Sequence, residues 1–127
     1  MNRQKRWVLL EHTGLPEDPD GVHFDLLLED RNCCRSWRLE EIPVLDGLAQ
    51  STIPLPVHRL AWLEISGQEV SGGRGWAKRV FAGFFYGELP KDERDPVQIE
   101  LNGKEMIGNL EIRDFLCKLS SVESSFK

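Results

Sequence analysis

Apolar and polar residues alternate along several short segments of the chain, the pattern of strands with one buried face. The clearest such segment runs from Val22 to Glu29, where the apolar face holds Val22, Phe24, Leu26 and Leu28. An earlier predicted strand runs from Trp7 to His12, and a loop with two prolines separates the two strands. We expect this loop to turn the chain back, so that His12 lies beside His23 and Asp25.

The remaining strands follow at short intervals. They are Cys33 to Leu39, Val57 to Ile65, Arg79 to Tyr86, Val97 to Leu101 and Lys104 to Ile112. Asn102-Gly103 predicts a hairpin, and Gly83 predicts a bulge or a close backbone approach. We expect an irregular connection at residues 43–56 and a short helical turn at residues 113–119. Seven or eight mainly antiparallel strands with hardly a helix predict an all-β fold, a small closed or partly open β-barrel.

Length and composition predict a single domain. The chain has 127 residues, enough for one core, and we expect loose tails at residues 1–5 and 120–127. Its three cysteines, two of them adjacent, form neither a disulfide framework nor a C-x-x-C pair. The first apolar run, Trp7 to Leu10, is too short for a signal peptide or a membrane span. We therefore expect a cytoplasmic protein with no membrane partner.

The charge of the chain limits how it would contact nucleic acid. A formal net charge of −5 argues against a broad nucleic-acid surface, since phosphate binding is driven by Lys and Arg. A local basic patch would still serve a strand end. The two candidate patches are Arg3, Lys5 and Arg6, and Arg74, Lys78 and Arg79.

Two of the three histidines and one aspartate stand in a short stretch of the chain. Side chains at positions i and i+2 of a strand are roughly 6.6 Å apart, so His23 and Asp25 can close on one ion, with His12 supplied by the neighbouring strand. Two imidazoles and a carboxylate with open positions suit Mn²⁺, Fe²⁺ or Zn²⁺. The alternative is a plain surface pair, because a His-x-Asp motif in a strand carries no metal spacing by itself.

A longer series of motifs includes these residues and all three histidines. It consists of His12, His23-Phe24-Asp25, Leu28-Glu29, Ser36-Trp37, His58 with Trp62 four residues later, Ile65-Ser66-Gly67, Ser71-Gly72-Gly73-Arg74-Gly75, and Leu101-x-Gly103-x-x-Met106-x-Gly108. In this order and over about residues 6 to 113, the chain resembles the 3′-phosphoesterase domain of bacterial DNA ligase D. The glycine-rich loop is similar to that of small stand-alone members of this family.

The resemblance implies a metal-dependent β-barrel enzyme of DNA repair. The implied reaction removes a 3′-ribonucleotide or a 3′-phosphate from DNA or RNA ends, with a ligase or polymerase of end joining as a possible partner. Mn²⁺ is the implied ion, held by His12, His23 and Asp25, although Zn²⁺ binds such ligands more tightly. The implied role of His58 is catalytic, either by contact with the scissile phosphate or by protonation of the leaving oxygen. The alternative for His58 is a rim histidine bonded to the backbone.

Two further residues have alternative interpretations. Arg74, in the glycine-rich loop, is a candidate phosphate-binding residue if its side chain and the backbone N–H groups converge. Otherwise it caps a turn or pairs with an acidic neighbour such as Glu69. Trp62 is either a packing residue or a surface on which a terminal base stacks.

The chain departs from the family pattern where the family holds phosphate. Leu27 stands in place of an arginine, Trp62 in place of a tyrosine, and Glu41 about where the family has a lysine. Candidates to substitute are Arg38, Arg74 and Arg79. These departures and the negative charge favour a rival function, a non-catalytic module that binds nucleic-acid ends or a repair partner. The three histidines favour the enzyme.

Overall fold

The computed structural model describes residues 4–122, which form one nine-stranded antiparallel sheet. The strands are β1 (Lys5–Leu15), β2 (Asp18–Asp30), β3 (Cys33–Leu39), β4 (Gln50–His58), β5 (Gly67–Glu69), β6 (Trp76–Tyr86), β7 (Val97–Gly103), β8 (Gly108–Arg113) and β9 (Leu116–Ser120). The order β1-β2-β3-β4-β9-β8-β7-β6 closes on itself because β6 also pairs with β1, and β5 adds to β6 outside this ring. The predicted all-β barrel is confirmed, with eight strands in the closed ring.

The inward faces of the strands form the main hydrophobic core. In β1 and β2, Trp7 lies opposite Leu28 and Leu9 opposite Leu26, and all four side chains are fully buried. The other members of this core are Trp37, Leu39, Phe85, Val97, Ile99, Leu101, Met106, Leu110, Ile112, Cys117 and Leu119. Eight-stranded barrels are just wide enough to be filled by side chains. The interior of this barrel is therefore packed core.

A second apolar cluster covers the outer face of the same wall. It consists of Val8, Leu10, Leu27, Cys34, Trp62, Leu63 and Ala77. The cover comes from the connection between β4 and β6, which includes a 3₁₀ turn at Leu60–Leu63. Because both faces of the wall are covered, the run Leu26–Leu28 is buried without alternation. Leu27, at the position where the family pattern has an arginine, is a packing residue of this cluster.

The segment of residues 43–65 differs most from the sequence-based assignment. Gln50–His58 is strand β4, where an irregular connection was predicted up to residue 56, and Leu60–Leu63 is a 3₁₀ turn, where a strand was predicted. Within the described chain, β9 pairs with β4 only at Gln50 and Ser51. Beyond that point the strand has an open edge, where proline is tolerated because no ladder hydrogen bond is lost. The prediction failed because it treated Pro54 and Pro56 as strand breakers.

Two predicted local structures near the end of the chain are wrong. The turn between β7 and β8 spans residues 104–107 instead of Asn102-Gly103, and residues 116–120 form β9 instead of a helical turn. Gly103 serves close packing: a Cβ there would lie 2.7 Å from the Trp7 ring and 2.9 Å from the Met106 carbonyl oxygen. The helical turn is replaced by a two-residue hairpin at Asp114-Phe115.

Parts of both predicted tails belong to the folded structure. Lys5 begins β1 and Ser120 ends β9, and beside them Gln4 donates to the Tyr86 hydroxyl and the Ser121 N–H donates to Asp46. Residues 1–3 and 123–127 of the predicted tails lie outside the described part. In residues 4–122, no helix is long and apolar enough to cross a membrane.

Gly83 marks the close backbone approach that the sequence predicted. A Cβ at this position would lie 2.3 Å from the Asn102 carbonyl oxygen and 2.9 Å from Trp7 Nε1. The alternative, a bulge at Gly83, is not observed, since the irregularity in the β1–β6 pairing falls between Leu9 and Leu10. Glycine at residue 83 is therefore needed for contact between three strands.

We expect Gly83→Ala to lower the free energy of unfolding by about 1–3 kcal/mol, the usual range for overpacking. The physical reason is that backbone atoms, which cannot rotate away, face the new methyl group. Chemical denaturation measures the change. Gly67→Ala is the matched control, because its Cβ would make only ordinary van der Waals contacts, with the Trp76 side chain at 3.4 Å and the Ala77 carbonyl oxygen at 3.6 Å. Equal losses in both variants would contradict the close approach.

Candidate functional site

The register of three neighbouring strands brings the candidate residues together on the outer face of the barrel. Asp25 in β2 lies opposite Leu10 in β1 and opposite Arg38 in β3. His12 is two residues beyond Leu10, so it shares this face of β1. Cross-strand and diagonal neighbours on one face are within reach of long side chains. His12, Asp25 and Arg38 therefore converge.

The convergence produces a buried ion pair at Asp25. His12 and Asp25 are no more than 5% exposed, and His12 Nδ1 lies 3.2 Å from Asp25 Oδ2. Arg38 donates from Nε to Oδ1 at 3.0 Å and from Nη2 to Oδ2 at 3.3 Å. Arg38 Nη2 is also 3.3 Å from His12 Nδ1. That nitrogen cannot donate to Asp25 and accept from Arg38 at once, and donation to the carboxylate is the stronger, charge-assisted contact.

These contacts shift two pKa values in opposite directions. The hydrogen bond with Asp25 raises the pKa of His12 above its ordinary 6.5 in spite of burial, and a second bond from Nε2 to the Arg74 carbonyl, at 2.7 Å, adds to this. Burial alone would raise the pKa of Asp25, but hydrogen bonds from His12 and Arg38 outweigh it and lower the pKa.

The sign of each shift defines the pH range in which the cluster stabilises the fold. The stabilisation from His12 is complete below pH 6.5 and is lost as the pH rises through its raised folded-state pKa. The stabilisation from Asp25 is present above its ordinary pKa of 3.8 and is lost as the pH falls through its lowered folded-state pKa. The cluster is therefore most stabilising between about pH 4 and pH 6.5.

His58, at the end of β4, lines the same cavity as His12 and Asp25, and one of its ring nitrogens already has hydrogen-bond partners. Nδ1 lies 2.7 Å from Ser36 Oγ and 3.1 Å from the Pro56 carbonyl oxygen. Since a carbonyl only accepts, this contact assigns the proton of the neutral ring to Nδ1 and leaves Nε2 as an acceptor. Burial lowers the pKa of His58, against the attraction of Asp25. A neutral His58 thus offers a hydrogen-bond acceptor.

A cavity of about 1100 Å³ lies over these side chains. His12, Asp25 and His58 line its barrel side, and residues 68–73 form the wall opposite. Gly72 and Gly73 have φ angles of 75° and 68°, and a Cβ on either would meet no atom within 4 Å. This wall therefore presents bare backbone, which suits contact with an anionic group.

The loop is held against β1 by a further glycine. A Cβ at Gly75 would overlap the Thr13 carbonyl oxygen at 1.9 Å, and Gly75 has a φ of 86°. The Val70 N–H donates to the Gly75 carbonyl at 2.8 Å and closes the loop. The glycines in this segment therefore set how closely the loop approaches the site.

The contacts of three sequence-predicted residues bear on the roles expected of them. His23 lies opposite His12 on the same face, but its Nε2 is 2.9 Å from Asp18 Oδ2. The Arg74 side chain pairs with Glu17, at 2.5 Å, and not with Glu69. Trp62 is only 8% exposed and packs edge-on against His58, with 6.3 Å between the ring centroids. The packing interpretation of Trp62 is therefore the one that the structure supports.

The donor set fits a divalent metal ion in part. Two ligands of one ion with bonds of about 2.1 Å lie roughly 3.0–3.4 Å apart, and the 3.2 Å between His12 Nδ1 and Asp25 Oδ2 meets this condition. In the part of the chain that the structure describes, no group of three or more His, Cys, Asp or Glu side chains is arranged to hold a metal. The third candidate, His23, is turned towards Asp18.

Sequence reasoning named Arg38 only as a candidate phosphate-binding residue and Ser36 only as part of a motif, and it placed neither of them beside Asp25 or His58. The signal was available in the turn after β2, where Asp30 pairs with Cys33. Counting outward from this turn along an antiparallel pair places Arg38 opposite Asp25 and Ser36 opposite Leu27.

Comparison with known proteins does not assign this chain to a family. The chain matches no family model and no curated protein. The resemblance to the ligase D phosphoesterase domain therefore stays a prediction from the motifs.

In metal-free protein, we expect His12 to titrate above pH 6.5 and His58 below it, because Asp25 holds the His12 proton and burial disfavours charge on His58. ¹⁵N NMR of the imidazole rings measures both values and reports the tautomer of neutral His58, expected to be Nδ1–H. Ser36→Ala should change the His58 signals, whereas the exposed Ser51→Ala should not. A reversed order of the two pKa values, or an Nε2–H tautomer, would contradict these assignments.

Proposed function

We propose that this protein is a divalent-metal-dependent phosphoesterase that acts on the 3′ ends of DNA or RNA during repair. The observation that carries the proposal is that His12, Asp25 and His58, from three different strands, line one cavity. The His12 imidazole and the Asp25 carboxylate can coordinate a metal ion, and the nearby His58 imidazole can accept a proton. Buried groups of this kind are costly to fold and are concentrated at functional sites.

In this proposal His12 and Asp25 hold the ion, and His23 joins them. His23 stands directly opposite His12 on the same face, so turning its side chain away from Asp18 requires no change of strand register. A bound Mn²⁺ or Zn²⁺ would neutralise charge on the phosphate and lower the pKa of a coordinated water. His12 must lose its Nδ1 proton to act as a ligand, so metal affinity should rise with pH.

His58 is best suited to accept a proton in this proposal. Its Nδ1 is occupied by Ser36 and the Pro56 carbonyl, and its lowered pKa keeps it neutral near pH 7. A neutral ring with a free lone pair serves as a general base towards an attacking water. These contacts favour that role over protonation of the leaving oxygen.

The phosphate contacts would come from Arg38 and Arg59. Arg38 donates to both oxygens of Asp25, so its guanidinium would become available to phosphate only when an ion takes over those oxygens. Arg59 lines the cavity, is exposed, and takes part in none of the ion pairs found among residues 4–122. Arg74 is less available because Glu17 pairs with its guanidinium. An unpaired arginine is well shaped for two parallel bonds to phosphate.

A specific observation favours the rival, a non-catalytic module that binds nucleic-acid ends or a repair partner. The guanidinium of Arg38 already occupies both oxygens of Asp25, which an ion would need. In that case a protonated His12, Arg38 and Arg59 would hold a terminal phosphate without turnover. Binding of a strand end that needs no metal would distinguish this module from the enzyme.

We expect Mn²⁺-dependent cleavage of a primer that ends in a ribonucleotide or a 3′-phosphate, abolished by a chelator. Asp25→Asn should weaken metal binding at least tenfold, because it removes the one charged ligand, and His58→Ala should remove most activity but leave metal binding intact. Calorimetry and a strand-end assay measure the two effects. Asp20→Asn, in the loop end of β2, is the control. End binding without cleavage under any divalent metal would support the rival module.

We expect Arg59→Ala to raise the KM or Kd for a phosphate-bearing strand end tenfold to a hundredfold, equivalent to about 1.5–3 kcal/mol for a charge-assisted contact. Arg74→Ala should change it only about twofold, since Glu17 already pairs with Arg74. Titration with a 3′-phosphorylated oligonucleotide at one fixed salt concentration measures both. If Arg74→Ala weakened strand-end binding more than Arg59→Ala, the phosphate contact would have to be assigned to the glycine-rich loop instead of Arg59.

A further inference from the structure

A second cavity opens at one end of the barrel, on the other face of β3 from the first site. It has a volume of about 390 Å³, and its apolar lining is Trp37, Pro54, Val97, Ile112 and Phe115. Trp37, Val97 and Ile112 belong to the barrel core. The volume lies in the range of small-molecule sites, roughly 300–1,000 Å³, and the mouths of β-barrels are common places for them.

The opening follows from the weak pairing of β4 with β9. Within the described residues, the ladder joins Gln50 to Cys117 and Ser51 to Leu116, and one more bond runs from the Thr52 N–H to the Phe115 carbonyl. Beyond Thr52, β4 runs past the β8–β9 turn, since β9 begins only at Leu116, and proline at residue 54 has no N–H to offer on this edge. The cavity therefore lies between β4 and the β8–β9 turn, over core residues such as Trp37 and Ile112 that themselves stay buried.

Phe115, on the rim of this cavity, has a conformation that its side chain disfavours. Asp114 and Phe115 form the two-residue turn with φ angles of 53° and 62°, a geometry for which Asn-Gly is the usual sequence. A bulky residue in this region costs stability, and Phe115 recovers little of it by burial because it is 68% exposed. A residue that lowers stability in its local conformation and gains no packing in return is expected at a functional site.

The charges around the cavity favour a cation. Arg94 is paired with Asp92, and Arg113 with Glu111. The remaining charged residues of the lining are the carboxylates Glu93, Asp95 and Asp114. None of them is in an ion pair among residues 4–122, and Asp95 attracts Arg94 at longer range. An apolar wall beside spare carboxylates complements a molecule that is apolar at one end and positively charged at the other.

We infer that the barrel mouth is a binding site for a small molecule with a planar apolar body and a cationic group. The apolar body lies against Phe115 and Pro54 over the Trp37 end of the core, and the cation meets Asp95 and Asp114. This site is independent of the proposed phosphoesterase function, because it shares no lining residue with the first cavity.

Three probes with the same ring and different charge test the inference: tryptamine, indole and indole-3-propionate. In ¹H–¹⁵N spectra, tryptamine should shift the amide signals of residues 94–95 and 113–115 and bind at least tenfold more tightly than indole-3-propionate, with indole between them. Asp25→Asn should leave this binding unchanged, since Asp25 belongs to the other cavity. Absence of these shifts at millimolar tryptamine, or equal binding of the two charged probes, would overturn the inference.

Phe115→Gly and Asp114→Asn separate the two parts of the site. Phe115→Gly relieves the left-handed conformation, so it should keep or raise the melting temperature while the Kd for tryptamine rises at least tenfold. Asp114→Asn keeps a residue that accepts a positive φ and should reduce the preference for tryptamine over indole. Phe115→Asn is a second turn-compatible variant, and Phe84→Ala on β6 is the control for an exposed phenylalanine. Unchanged affinity in both Phe115 variants would overturn the inference.

Discussion

Burial of both faces of the β1–β2 wall is the constraint on which the rest of the structure depends. Leu26 and Leu28 pack into the barrel while Leu27 packs under the 3₁₀ turn, and all three are fully buried. A shift of one residue in the register would exchange the two faces of the strand. It would move Asp25 into the barrel core, where no partner for its charge is found. The register that buries the leucines therefore also fixes Asp25 on the outer face, beside His12 and Arg38.

The same buried position creates a competition at Asp25. A carboxylate removed from water is tolerated only with charged or hydrogen-bonding partners, and here His12 and Arg38 supply them. Those partners stabilise the fold, yet they occupy the oxygens and the ring nitrogen that a metal ion would use. Any ion that binds must displace one stabilising contact and one proton. The affinity for the ion therefore depends on the difference between the free energy of coordination and that of the ion pair. Leu27 carries no charge, so it contributes to neither.

The parts of the fold that were predictable depend on short-range patterns. Alternation predicted which face each residue of β1 and β2 occupies, because each strand keeps its own period of two. The expected return of the chain then placed His12 beside Asp25. The position of His23 depends on Asp18, the first residue of β2, and the partner of Arg74 is Glu17 in the turn between β1 and β2. Irregular segments carry no periodicity, so neither pairing was visible in the sequence. Arg38 was within reach of prediction, since its place follows from the turn at Asp30.

Strand β4 shows why the least predictable segment contributes to both sites. Pro54 lies on an edge where the N–H group that it lacks would face away from β3, as the Thr52 N–H two residues earlier does. At this residue the edge can accept a hydrogen bond but cannot donate one, which discourages pairing with another chain. The carbonyl of Pro56 then holds Nδ1 of His58, and the ring of Pro54 lines the cavity at the barrel mouth. The prolines that hid this strand from prediction therefore contribute a carbonyl that contacts His58 on one side of the wall and a ring that lines the barrel-mouth cavity on the other.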